Sequence, residues 1–176
     1  MNKIIKKNGI NFGILMGVFS IAITTLIYLV DVKLFIALWI SLINITFYLS
    51  MTVFLLIKTK KELNGVFSFK EAFTTYFIAA TIGIALSVVF NILLFNYVDV
   101  SLKDTVQQLT IEYSVNMMKK AGAPNSEIKK IIKQMTENNQ FDILNLIKGS
   151  VFSIVLCSIF GLILAAIFKS KPKEQY

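Results

Sequence analysis

Few residues of this chain could do chemistry, and the most exposed candidates are the adjacent Lys70 and Glu71 in the stretch NGVFSFKEAFTTYF, residues 64–77. A lysine beside a carboxylate at the lip of a long apolar run could act as an acid–base couple. The same residues also fit a helix start. Ser68 with Glu71 three residues later is a capping box, in which hydroxyl and carboxylate each take the other residue's backbone N–H. Glu71 would then face the positive end of the helix dipole, while Lys70 extends toward lipid headgroups. The cap accounts for every polar group of the stretch, so Ser68 and Glu71 are assigned as a helix cap.

Elsewhere the usual reactive groups are missing. The chain has no histidine and no arginine, which removes the commonest general base, a common metal ligand and the bidentate phosphate clamp. No phosphate-binding loop, dinucleotide fingerprint, paired-histidine zinc motif or cysteine pair occurs. Carboxylate chemistry remains open to Asp31, Asp99, Asp104 and Asp142, all on the side opposite the basic loops, but such acids usually serve as caps and solvated helix ends. The single cysteine, Cys157, cannot close an intrachain disulfide and reads as a small packing residue. The expectation is a non-enzymatic protein with no catalytic, cofactor-binding or metal-binding residue, and no cofactor.

The elements that would position these residues are apolar. Hydrophobic residues make up 56% of the 176 and the mean hydropathy is +0.71, beyond what a soluble core accommodates. Four runs carry the excess, at about 9–30, 34–57, 72–98 and 149–168. Each has roughly the 20 residues a helix needs to cross ~30 Å of hydrocarbon. The first run follows Lys3, Lys6 and Lys7 but is longer than the ~7–15 apolar residues of a signal peptide. It is therefore expected to remain as a membrane span.

Lysines flank the runs unevenly. Lys3, Lys6 and Lys7, then Lys58, Lys60, Lys61 and Lys70, then Lys169, Lys171 and Lys173 fall on one side of a four-span topology. The opposite side receives a short turn and residues 99–148, where seven lysines are offset by six acids. The positive-inside rule makes the basic side cytoplasmic, so both termini are expected in the cytoplasm. The net charge of +8 is spread singly over helix ends without arginine, which fits the lipid bilayer as partner and no nucleic acid. Tyr28, Trp39 and Tyr97 sit near the outer ends, where amphipathic rings favour the headgroup layer.

Residues 99–148 are too long for a bare connection. Ser101 and Asp104 match a capping box ahead of Leu102, Val106, Leu109, Tyr113 and Met117. Gly122 fits a helix stop, and Asn125 or Ser126 a second cap before Ile128, Ile131, Ile132 and Met135. These faces could pack on each other, lie on the bilayer, or dock an extracytoplasmic partner.

Between membrane helices, close approach of small residues and polar pairing replace the hydrophobic drive. Gly9, Gly13 and Gly17 recur every four residues in the first run, Thr75, Ala79, Gly83, Ser87 and Asn91 in the third, and Gly149, Ser153, Cys157, Gly161 and Ala165 in the fourth. Gly13, Gly17, Gly83, Ser87 and Gly161 are the candidate packing positions, within one chain or across a homo-oligomer. The second run instead aligns Asn44, Tyr48 and Thr52, a polar face that either bonds a neighbouring helix or lines a path.

The Gly-x-x-x-Gly start NFGILMG (Asn11–Gly17), the lead-in FSFKEAF (Phe67–Phe73), the exit YVDV (Tyr97–Val100), a charged amphipathic insert and a last Gly-bearing helix ending in lysines resemble the bacterial domain of unknown function 4199. The likeness covers nearly the whole chain in order. It implies a small four-spanning protein of the bacterial inner membrane, carries over no catalytic residue, and points to a partner in envelope glycan or lipid metabolism. The expected fold is all-α: a four-helix transmembrane bundle in one membrane domain over 1–176, with an extracytoplasmic amphipathic helical hairpin between helices 3 and 4. The expected role is an accessory or assembly subunit of a membrane complex. The competing reading is a small oligomeric transporter or flippase-like carrier working along Asn44, Tyr48 and Thr52.

Overall fold

The computed structural model describes residues 2–170; Lys171 and Lys173, counted above toward the basic side, lie outside the described residues. Helix α1 (Lys3–Val30) leads through a short 3-10 turn (Val32–Ile36) into α2 (Leu38–Glu62). Helix α3 (Phe69–Leu93) continues through a π-turn (Leu94–Val98), followed by α4 (Val100–Lys120), α5 (Asn125–Glu137) and α6 (Ile143–Phe168). All these elements are helical. Four of them, α1, α2, α3 with its π-turn, and α6, are long and apolar enough to cross a membrane. The shortest, at 25 residues, extends ~38 Å against a hydrocarbon layer of ~30 Å. The chain is thus built as a multi-pass membrane protein, and exposed side chains such as Leu42, Val89 and Val155 have lipid as their natural neighbour.

Local chemistry moves several boundaries from those expected. The second span begins at Leu38, not 34, because the Asp31 carboxylate accepts the Lys33 N–H at 2.9 Å and folds residues 32–36 into the 3-10 turn. The fourth begins at Ile143, six residues before the apolar run, so Lys148 lies inside α6. Asp99, not Ser101, is the N-cap of α4: its carboxylate accepts from the Leu102 N–H and from the Ser101 hydroxyl. Neither Asn125 nor Ser126 caps α5, which starts from Pro124 with no side-chain cap. Proline fixes its own φ near the value a helix start needs, and no polar cap is used.

The seam between α1 and α3 is the closest in the bundle. Gly9, Gly13 and Gly17 lie against Ile78, Ile82 and Leu86, and Ser20 shares a 2.8 Å hydroxyl bond with Ser87. Helix α6 joins α3 where Gly161 meets the Tyr76 ring. Helix α2 reaches the core only near its C-terminal end, through Thr52, Leu55, Leu56 and Thr59.

The basic end is tied together. The buried Asn8 amide donates to Thr59 Oγ1 at 3.2 Å and Glu62 Oε2 at 2.8 Å, which links α1 to α2. Lys60 Nζ donates to the Phe168 carbonyl at 3.0 Å, and Ser170 pairs with Phe67 through two 2.7 Å bonds, which link α6 to the loop before α3. At the other end α4 and α5 fold back on each other. Gly122, at φ +74, ends α4 by letting the Ala123 N–H reach the Met118 carbonyl at 3.0 Å. The buried Gln107 amide then donates to the Met135 carbonyl at 2.7 Å, while Leu102 and Val106 pack on Leu94 and Phe95. Of the expected α4 face, Met117 is instead half exposed.

Candidate functional site

Lys70 and Glu71, the adjacent charged pair, lie at the start of α3. Ser68 Oγ accepts the Glu71 N–H at 3.3 Å, while Glu71 Oε2 accepts the Ser68 N–H at 2.9 Å and its hydroxyl at 2.8 Å. The carboxylate is committed to its own helix start. Glu71→Gln retains an acceptor oxygen, whereas Glu71→Ala and Ser68→Ala remove one half of the cap. We expect the two alanine variants to lose about 0.5–2 kcal/mol in parallel and Glu71→Gln to melt near wild type. A well-folded Glu71→Gln protein without function in cells would mark the pair as reactive after all.

A concave feature lies elsewhere, in the membrane-spanning part. Helices α2 and α6 meet at the basic end, where Leu56, Phe67, Ala72, Tyr76 and Ala165 form one buried cluster with Leu164 and Phe168 around it. Toward the end that carries α4 and α5, the outer end for short, they leave each other, and a cleft of about 830 Å³ opens between them. Its volume falls in the ~300–1,000 Å³ range of small-molecule sites. The floor is the α1–α3 pair, with Met16, Ser20, Gly83 and Ser87. Leu49 and Phe160, on opposite walls, are also 44% and 58% exposed, so the gap faces sideways, into the bilayer.

The expected packing stripes divide at this cleft. Gly161 and Ala165 are buried in the α3–α6 seam, but Gly149, Ser153 and Cys157 line the cleft, and nothing lies within 4 Å of a Cβ placed on Gly149. Gly83 is buried against Met16, whereas Ser87 and Asn91 border the open space. Asn44, Tyr48 and Thr52 form part of the α2 wall. Of these, Thr52 is buried. Tyr48 leans onto α1, with its hydroxyl 3.4 Å from the Met16 carbonyl and its ring edge-on to Phe19.

Polar groups gather in the outer part of the cleft: Ser41, Asn44, Asn91, Ser150 and Ser153. Ser150 and Ser153 donate to the Ile147 and Gly149 carbonyls of their own helix. Among the described residues no charged side chain lines the cleft. Sequence periodicity assigned Asn91 and Ser153 to seams and passed over Ser41 and Ser150. An asparagine within a small-residue stripe was the available signal, since small residues alone suffice for close packing.

Above the cleft is an aromatic roof. Phe95, in the π-turn and 2% exposed, stacks on Phe141 at 4.4 Å between ring centres and tilts against Phe35 at 5.6 Å. These three rings line the outer end of the cleft and join the lead-ins of α2 and α6 to the end of α3. Lys103 pairs with Asp142 at 2.9 Å, and the Asn96 amide donates to the Phe141 carbonyl at 3.0 Å. The Ser101 hydroxyl and the Leu102 N–H hold the Asp99 carboxyl below the usual carboxylate range, so it stays ionised as the cap of α4. Among the described residues no group of three or more His, Cys, Asp or Glu side chains could hold a metal ion.

The model of the family described as Protein of unknown function (DUF4199) matches residues 11–170. Neither a curated protein nor a solved structure matches the chain.

Proposed function

The chain belongs to the DUF4199 family of proteins of unknown function, and from that premise we propose that it is a non-catalytic accessory or assembly subunit that holds a bilayer molecule in the cleft between α2 and α6. The observation that carries the reading is the shape of the cleft. It is walled off from water at the basic end by the Leu56–Phe67–Ala165 cluster and at the other end by Phe35, Phe95 and Phe141, yet it opens to the side. A path for a soluble solute needs an opening at each aqueous face. Its occupant therefore enters from the membrane, and the envelope lipid and glycan intermediates that reside there are the natural class.

The carrier reading keeps one supporting feature, the Asn44–Tyr48–Thr52 face along the α2 wall. The two readings separate in liposomes that carry the purified protein and a phospholipid with a dithionite-quenchable headgroup. A holding protein leaves the inner-leaflet half of the fluorescence protected. Loss of that half faster than in protein-free liposomes overturns the holding role in favour of a carrier.

Orientation follows from the lysines. Lys3, Lys6, Lys7, Lys58, Lys60, Lys61, Lys70 and Lys169 belong to the end where α1 begins and α6 finishes, and the positive-inside rule makes that end cytoplasmic and the α4–α5 segment extracytoplasmic. With Cys157 replaced by Ala, Asn125→Cys is expected to react with an impermeant maleimide in intact spheroplasts. Labelling only after lysis inverts the topology.

A further inference from the structure

We infer that the cleft binds a glycerolipid by its ester-carbonyl level, with the amides of Asn44 and Asn91 as hydrogen-bond donors and the acyl chains running toward Tyr76 and Leu164. The inference rests on the holding role and names the ligand class for that site. Asn44 lies six residues, ~9 Å, from the outer start of α2 at Leu38, and Asn91 seven residues from the end of the π-turn at Val98. Both therefore sit in the outer third of their spans, on the cleft surface. Neither side-chain amide finds a hydrogen-bond partner among the described residues. An amide left without a partner at that depth, where water is scarce, carries a desolvation cost that an occupant with acceptor oxygens removes.

The surroundings narrow the chemistry. Ser150 and Ser153 already donate to their own helix, which leaves the two amides, with the Ser41 hydroxyl beside Asn44, as the donors of the outer cleft. With no charge in the lining the site selects for neutral acceptors and not for a headgroup charge. The inner half is lined by Leu49, Tyr76, Ala80, Phe160 and Leu164, apolar surface suited to methylene chains. Carbonyl acceptors at one level with two hydrocarbon chains below them describe a diacylglycerol unit.

The test uses the full-length protein in mild detergent micelles. A phosphatidylcholine with a fluorescent tail is displaced by palmitoyl-oleoyl phosphatidylcholine or by its diether analogue, which has the same headgroup and chain lengths but no carbonyl. Two hydrogen bonds correspond to about tenfold in affinity, so wild type should prefer the diester by about that factor. The Asn44→Leu/Asn91→Leu protein should bind both lipids equally, at the level of the diether on wild type. Ser153→Trp should block both, while Val89→Trp, exposed outside the cleft, should block neither. Equal affinity of wild type for diester and diether overturns the carbonyl contact while leaving the holding role standing, and that comparison needs no variant to fold. Absence of saturable binding, with Ser153→Cys chains on a Cys157→Ala background forming a disulfide dimer that lipid does not displace, overturns the lipid and makes a second copy the occupant.

Discussion

Phe95→Ala is expected to lower stability by about 3–5 kcal/mol, the cost of removing a fully packed phenylalanine, and at the same time to let water into the outer end of the cleft. Phe95 is 2% exposed and sits in a cluster with Leu94, Leu102 and Val106, so its removal leaves a void where α3, α4 and the lead-in to α6 converge. Tyr97, two residues on in the same π-turn, is 68% exposed, and Tyr97→Ala should change stability by less than about 0.5 kcal/mol. The second readout needs no engineered label. Cys157 lines the cleft and is the only cysteine, so its reaction with an impermeant maleimide reports water below the roof. Wild type should react slowly, and Phe95→Leu, which retains most of the packing, should react faster while still folded. Equal labelling of wild type and both Phe95 variants would mean that the rings do not seal the cleft.

Gly13→Leu should have the second largest effect, about 1–3 kcal/mol of overpacking at the least compressible point of the α1–α3 seam. A Cβ on Gly13 would lie 2.8 Å from Ile82 Cβ and 2.9 Å from the Ala79 carbonyl oxygen. The neighbour there is backbone, which cannot swing aside, so even Gly13→Ala should be felt. At Gly83 the same atom would sit 3.3 Å from Met16 Cβ, and Gly83→Ala should be milder. Gly161→Leu would press on the Tyr76 ring, a side chain with some freedom to move. Gly149→Leu should leave the melting temperature unchanged, since nothing lies within 4 Å. If Gly13→Leu and Gly149→Leu melted together, α1 and α3 would not be packed through their glycines.

The amino-acid sequence by itself determined that this is an all-helical protein with four spans long enough to cross a membrane, that its net positive charge gathers at one end, and that Ser68 and Glu71 begin a helix. These are local properties: hydrocarbon thickness, charge placement and caps act over one helix or one turn. Helix starts were less legible wherever a side chain outside the apolar run decided them, as with Asp31 and Asp99.

Tertiary structure alone decided what the small-residue stripes do. Spacing of four puts Gly149, Ser153, Cys157, Gly161 and Ala165 on one face of α6, but it does not say how far along that face another helix follows. Helix α6 is held to α3 near Gly161 and Ala165 and to the α2 end by Lys60, and it then departs. Half of the stripe becomes a seam and half the wall of a cleft. In the same way Asn44, Tyr48 and Thr52 share a face, yet Thr52 is buried, Tyr48 rests on α1, and Asn44 looks into open space. The physical reason is that lipid and protein are equally apolar neighbours, so no hydrophobic penalty written along the chain distinguishes a face covered by a helix from one left to the bilayer.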